Sequence, residues 1–169
     1  KLFVGIKYGV DGKHVAMSIA TKVDEKIFVE SIDCQSVRNG NTWIISFLKE
    51  ADIEKVVIDG SGSQQILSDE IKDYGIKLKP VLPKVSDVVV ANNMFEQAVT
   101  SSKNICHNDQ PSLKQIVTNC KRRAIGTNGG FGFKAMMEEH EIALLDSVIL
   151  AHWACATYKG VKKKQKISC

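Results

Sequence analysis

The segment Val56-Val57-Ile58-Asp59 constrains the fold of this chain more than any other. Three consecutive β-branched residues, with no polar alternation, read as a strand buried on both faces. Such a strand needs a layer packed on each side of its sheet, which places the chain among α/β architectures. Asp59 ends the run and Gly60-Ser61-Gly62 follows it. A carboxylate at the end of a buried strand is costly unless something compensates it. The glycines allow backbone or ligand to come close, and open α/β sheets bind ligands at the carboxyl ends of their strands. Asp is equally common there as a turn residue or helix N-cap, so the segment alone leaves both roles open.

The rest of the chain supplies the layers. Leu2 to Tyr8 reads as a strand, Gly9 to Lys13 as a hairpin turn, and His14 to Lys22 and Lys26 to Cys34 as two more strands, which together form an antiparallel meander. Asn41 to Ala51 changes to helical period. A helix capped by Ser61 or Ser63 runs to Tyr74, and Gly75 ends it. Lys77 to Leu82 reads as a short strand stopped by Pro80 and Pro83. Helices are expected over Asp87 to Ser101, Ser112 to Cys120 and Glu141 to Tyr158, with a glycine-rich strand and loop from Arg123 to Met136. The order predicts one domain over residues 1–158. Its core is a mixed sheet, an antiparallel three-strand meander plus parallel strands, flanked by helices on both faces. Residues 159–169 read as a basic, disordered tail.

Charge narrows the partners. The chain carries 23 basic and 19 acidic residues, but Lys159, Lys162, Lys163, Lys164 and Lys166 crowd its end. Without those five, 18 basic residues face 19 acidic ones, so nucleic-acid contact must come from local clusters. Lys121, Arg122 and Arg123, with Lys114 and Lys134 nearby, form one such cluster suited to DNA phosphates. The glycines at 126, 129, 130 and 132 would let the adjoining loop move. Five cysteines without a CxxC pair argue against a disulfide framework or a zinc ribbon. His14, His107, His140 and His152 show no metal-ligand spacing, and His152 reads as a satisfied core or surface histidine rather than a metal ligand.

Carboxylates carry the chemistry. On a helix, Asp146 shares a face with Ile142, Ile149 and Trp153. An acid in an apolar stripe should be neutral, paired or bound to a cation. Asp11 sits in the first hairpin turn, where Asp-Gly is also an ordinary turn pair. A turn beside the first strand, the end of the fourth strand and a late helix can meet at one sheet edge. Three acids there, without cysteine or histidine partners, suit magnesium or manganese. Glu138, Glu139 and Glu141 flank the start of the late helix and read as solvated acids at a helix N-terminus.

The succession Phe3-Val4-Gly5-Ile6-Lys7-Tyr8-Gly9-Val10-Asp11-Gly12, then Val56 to Gly60, then Leu144-Leu145-Asp146-Ser147 resembles the C-terminal nuclease domain of tailed-phage terminase large subunits. Lys121 to Phe133 resembles that family's basic, glycine-rich stretch before its last catalytic acid. The resemblance implies a ribonuclease H-like fold and a metal-dependent endonuclease that cleaves double-stranded phage DNA during genome packaging. By the same resemblance, Asp11, Asp59 and Asp146 would be both catalytic and metal-binding. They would hold two Mg2+ or Mn2+ ions, about 3.5–4 Å apart, that activate water and stabilise the leaving oxygen. It further implies an N-terminal ATPase domain ahead of Lys1, a small terminase subunit and a portal as partners, and action at the procapsid in the host cell cytoplasm.

One position departs from the family pattern. Where an acid is expected inside the first strand, the chain has Lys7, which would repel a metal ion or supply part of its charge. Asp11 is then expected to take the missing acid's role. Three other readings compete: a nucleotide-binding domain of the actin and sugar-kinase type, a catalytically weak DNA-binding or assembly module of a packaging motor, and a junction resolvase or transposase on the same fold.

Overall fold

Strand β1 (Leu2–Tyr8) runs through the interior of the sheet and sets the frame of the molecule, a computed structural model that describes residues 1–137 and 140–160. The lysine-rich tail from 161 onward, and Glu138 and Glu139, lie outside the described residues. β1 pairs antiparallel with β2 (His14–Val23), which pairs antiparallel with β3 (Lys26–Ser36). β4 (Ile53–Asp59) adds parallel to the other side of β1, and a three-residue β5 (Ile105–His107) adds parallel to β3. The sheet order is therefore β4-β1-β2-β3-β5. This is the mixed sheet expected, with one edge strand that the sequence does not announce.

Alternation along the strands sorts the core into two layers. Val4, Ile6 and Tyr8 of β1, with Val56 and Ile58 of β4, face α1 (Thr42–Glu50) and α2 (Ser63–Asp73), where Ile44, Ile45, Leu48, Leu67 and Ile71 cover them. Phe3 and Val57 face the other way. There they meet α3 (Val85–Thr100), α4 (Pro111–Thr118) and α5 (Ala143–Ala156). By the same two-residue period, Lys7 and Asp59 belong to this second face.

Helix α5 is buried around most of its circumference, as a helix between a sheet and other helices must be. It lies almost against the backbone of β1. A Cβ built on Gly5 would sit 2.5 Å from the Ala151 amide nitrogen and closer still to the Ser147 carbonyl oxygen. Only glycine permits that approach. Ser147 Oγ then meets Ser18 Oγ of β2 at 2.6 Å and donates to the Leu144 carbonyl at 2.8 Å, so this buried hydroxyl pair fixes the helix register.

Two local expectations change. Lys77 to Leu82 is not a strand: only Val81 bridges, parallel to Val57, with Val81 N–H bonded to the Val56 carbonyl and Ile58 N–H to the Val81 carbonyl. Pro80 has no amide hydrogen and Pro83 follows closely, so the ladder cannot extend. The expected strand and loop from Arg123 to Met136 is instead a full hairpin, β6 (Cys120–Ile125) and β7 (Gly130–Ala135), forming a separate two-stranded sheet. Its turn uses Gly126 and Gly129 at positive φ. Gly130 and Gly132 instead face Val89 of α3 and Ile125, where a Cβ would be crowded.

His152 is a core histidine, but its Nδ1 has no hydrogen-bond partner among the described residues, and its ring meets the Phe95 ring edge-on at 5.6 Å. Burial pulls its pKa down to about 4, which keeps the imidazole neutral.

Gly5→Ala should destabilise the domain by about 1–3 kcal/mol, the usual range for overpacking, because the added methyl has only α5 backbone to push against. Urea unfolding of the variant beside wild type measures this. An unchanged midpoint would show that α5 can lift off β1 without cost.

Candidate metal and nuclease site

The pairing register brings the first two groups of the site together. Lys7 lies directly beside Asp59 across the parallel β1–β4 ladder, on the same face. Their side chains form an ion pair in which Lys7 Nζ donates to Asp59 Oδ2. The side chains are only 12% and 19% exposed, so this pair is shielded from water and salt far more than a surface bridge. Gly60 follows with φ 146°, its Cα pressed towards Tyr8, which leaves no room for a side chain at the turn after Asp59.

Asp146 arrives from above. It occupies the first turn of α5, where the helix N-terminus favours an anion. Burial nevertheless pushes its carboxyl up to about 6 from 3.8. The Lys7 and Arg123 charges act against that rise, and those of Asp59 and Glu141 add to it. Lys7, Asp59, Asp146, Arg123 and Glu141 thus share one electrostatic environment at the carboxyl end of β4.

Asp11 is placed in a neighbouring corner. One ligand atom each from Asp11, His14 and Glu141 lie within 4.8 Å of one another. His14 Nδ1 and Glu141 Oε2 share a hydrogen bond at 2.9 Å. Asp11 Oδ1 accepts from the Lys13 amide at 3.0 Å, the ordinary bond of an Asp turn. Asp11 therefore carries both readings at once, a turn residue whose carboxylate also lies beside Glu141 and His14.

Glu141 is the residue that sequence reasoning undervalues. It does cap α5, its Oε1 accepting from the Ala143 amide at 3.0 Å, but its other oxygen reaches His14 across the hairpin. His14 lacks ligand spacing along the chain. Its signal is its place at the start of β2, three residues after Asp11 around a tight turn.

The basic residues divide. Lys121 and Lys134 face each other in the β6–β7 register, both exposed. Arg123 donates to the Phe133 carbonyl at 3.3 Å and lies near enough to Asp146 to lower its pKa. Arg122 instead clamps Glu96 of α3 through two nitrogens and stacks over Phe131 at 4.2 Å. That geometry ties the hairpin to α3 and occupies the guanidinium. Lys114 lies on α4 beside Asp109 at 3.8 Å, an exposed and weak pair.

Comparison of the sequence with protein-family models and with curated proteins gives no match. Solved structures do match. The large terminase nuclease of thermophilic phage G20c, with bound magnesium, superposes with a TM-score of 0.64 at 14% identity, covering 94% of this chain and 82% of that one. The large terminase nuclease domain of bacteriophage SPP1, with bound manganese, gives 0.55 at 14% identity, over 89% and 84%. A large terminase from a further thermophilic bacteriophage gives 0.54 at 14% identity, over 88% of this chain but 39% of that longer protein. The fold is thus the ribonuclease H-like fold of large terminase nuclease domains.

The raised pKa of Asp146 has a sign that can be checked. Its folded-state value lies above its unfolded value, so its contribution to stability is full below about 4 and is lost as pH rises through about 6. In chelator, Asp146→Asn should therefore be more stable than wild type at pH 8, by on the order of 2–3 kcal/mol, and gain little at pH 4. Urea midpoints at the two pH values give the comparison; an equal effect at both would contradict the burial of this acid.

Proposed function

We propose that the chain is a divalent-metal-dependent nuclease domain that hydrolyses phosphodiester bonds of double-stranded DNA. The observation that carries this reading is the gathering of acids at the carboxyl end of a central strand: Asp59 ends β4 and its charge acts on Asp146, while Asp11, His14 and Glu141 bring ligand atoms within 4.8 Å of one another. Carboxylate oxygens are the donors that magnesium and manganese prefer, and an imidazole nitrogen is tolerated by manganese. A divalent ion bound there would supply an activated water and charge to offset the leaving oxygen.

The protein's own groups do the rest. Arg123 adds a fixed positive charge on the Asp146 side, where a scissile phosphate would have to lie. Lys121 and Lys134, exposed on the hairpin, suit contacts to phosphates further along the duplex, with Lys114 on α4 as a more distant contact. None of these groups is arranged to read base edges, so little sequence preference is expected. The likeness to large terminase nucleases supports a role in cutting phage DNA during packaging, within a longer protein that carries an ATPase domain. It also supports a small terminase subunit and a portal as partners, in the host cytoplasm. No helix among the described residues is long and apolar enough to cross a membrane.

The Lys7–Asp59 pair favours a second reading, a DNA-binding module of weak activity, because it offers Asp59 a cation other than a metal.

A supercoiled-plasmid assay in magnesium, manganese or chelator separates the two. Wild type should nick or linearise plasmid with either ion and not in chelator. Asp146→Ala should lose at least about 100-fold, more than the loss typical of residues that only orient a ligand. Full cleavage by Asp146→Ala would remove this acid from the site, and DNA binding without cleavage in manganese would favour the second reading.

A further inference from the structure

Lys7 is a cation that the fold itself places in the site. Its position follows from three independent features of the chain. The two-residue period puts it on the α5 face, and the parallel register sets it beside Asp59. The close approach of α5 over Gly5 then brings Asp146 down near it. The ammonium donates to Asp59 and its charge acts on Asp146, which is what a bound cation would do for the same two acids.

The charges of the whole site limit what else it can take. Four carboxylates converge on it, those of Asp11, Asp59, Glu141 and Asp146. Lys7 and Arg123 supply two fixed positive charges among them. The remainder is a double negative charge, which one divalent ion balances and two overshoot. Lys13 also approaches Asp11, at 3.7 Å, but it is mostly exposed and that pair is screened by water.

Donor supply points the same way. An ion seated against Asp59 must either share the carboxylate with the Lys7 ammonium, which repels it, or displace that ammonium, and parting a shielded pair leaves an uncompensated charge in a poorly solvated place. The ligand atoms of Asp11, His14 and Glu141 already lie within 4.8 Å of one another, and an ion there gives up only the hydrogen bond between His14 Nδ1 and Glu141 Oε2, with no fixed ammonium beside a buried acid to displace.

We infer that Lys7 is a tethered substitute for one of the two metal ions, and that this chain binds a single divalent ion on the Asp11–His14–Glu141 side. The inference deepens the nuclease reading and rests on it for the identity of the site, but it concerns occupancy, which can be read without catalysis. Lys7 acts through Asp59 and is a positioning residue. A mixed oxygen and nitrogen donor set also means that manganese should bind more tightly than magnesium.

The test is the stoichiometry of manganese binding, by calorimetry and by the loss of the free-ion electron paramagnetic resonance signal, on wild type and Lys7→Asp. Wild type should take one ion per chain, and Lys7→Asp two. Lys7→Met serves as the second variant, keeping the side-chain stem while removing the charge. Circular dichroism checks that both variants fold. Manganese at about 100 times its Kd should raise the melting temperature of Lys7→Met by about 5–10 °C more than that of wild type, because only the variant leaves Asp59 without a cation. Two ions in wild type, none in wild type, or the same number in a folded variant would overturn the inference. If occupancy shifts as stated while neither form cuts plasmid, the tethered cation stands and the nuclease reading fails. If wild type cuts plasmid with two ions bound, the reverse holds.

Discussion

The contact of α5 with the bare backbone of β1 at Gly5 is the constraint on which the rest of this structure depends. It lets a helix buried on nearly all sides sit low enough on the sheet to close the second core layer. The Ser18–Ser147 hydroxyl pair then sets the helix's rotation and height. Asp146 precedes Ser147 in sequence, so the interaction that closes the core also delivers the acid to the end of β4. Packing and chemistry are here the same event: an α5 raised by one methyl group would loosen both.

That delivery creates an electrostatic problem which the chain solves in its own way. Asp146 is partly withdrawn from water and lies within reach of Asp59 and Glu141, whose charges oppose its ionisation. Lys7 and Arg123 offset part of that cost from within the protein. A site of acids alone would depend on metal ions for all its positive charge. This one carries some of that charge in its sequence, which lowers its demand for metal and makes Asp59 a partner of Lys7 before it is a ligand.

Much of this was legible in the sequence, for physical reasons that differ from element to element. The β-branched run ending at Asp59 could only be a doubly covered strand. Asp146, in an unbroken apolar helix, had to be compensated by something. Lys7 stood out as a lysine where an acid was expected, but its place beside Asp59 comes from the parallel β1–β4 register. What was not legible depended on tertiary pairing. β5 is three residues long, too short to show a period, and exists because β3 offers it an edge. Glu141 looked like a cap, and is one, but its second oxygen finds His14 only after the hairpin and α5 are brought together. Arg122 was read as a phosphate contact, and its bond to Glu96 and stacking on Phe131 are tertiary contacts that the sequence does not show. The Lys77 to Leu82 segment failed as a strand because its prolines left Val81 alone to bond.

The central claim is that a lysine and a divalent ion divide the work that two ions would do. The most direct measurement is a crystal structure of the protein grown in manganese, with anomalous scattering used to locate the metal. The account predicts one anomalous peak, ligated by Asp11, His14 and Glu141, with Lys7 still bonded to Asp59. Two peaks, or one peak seated on Asp59 with Lys7 turned away, would contradict it.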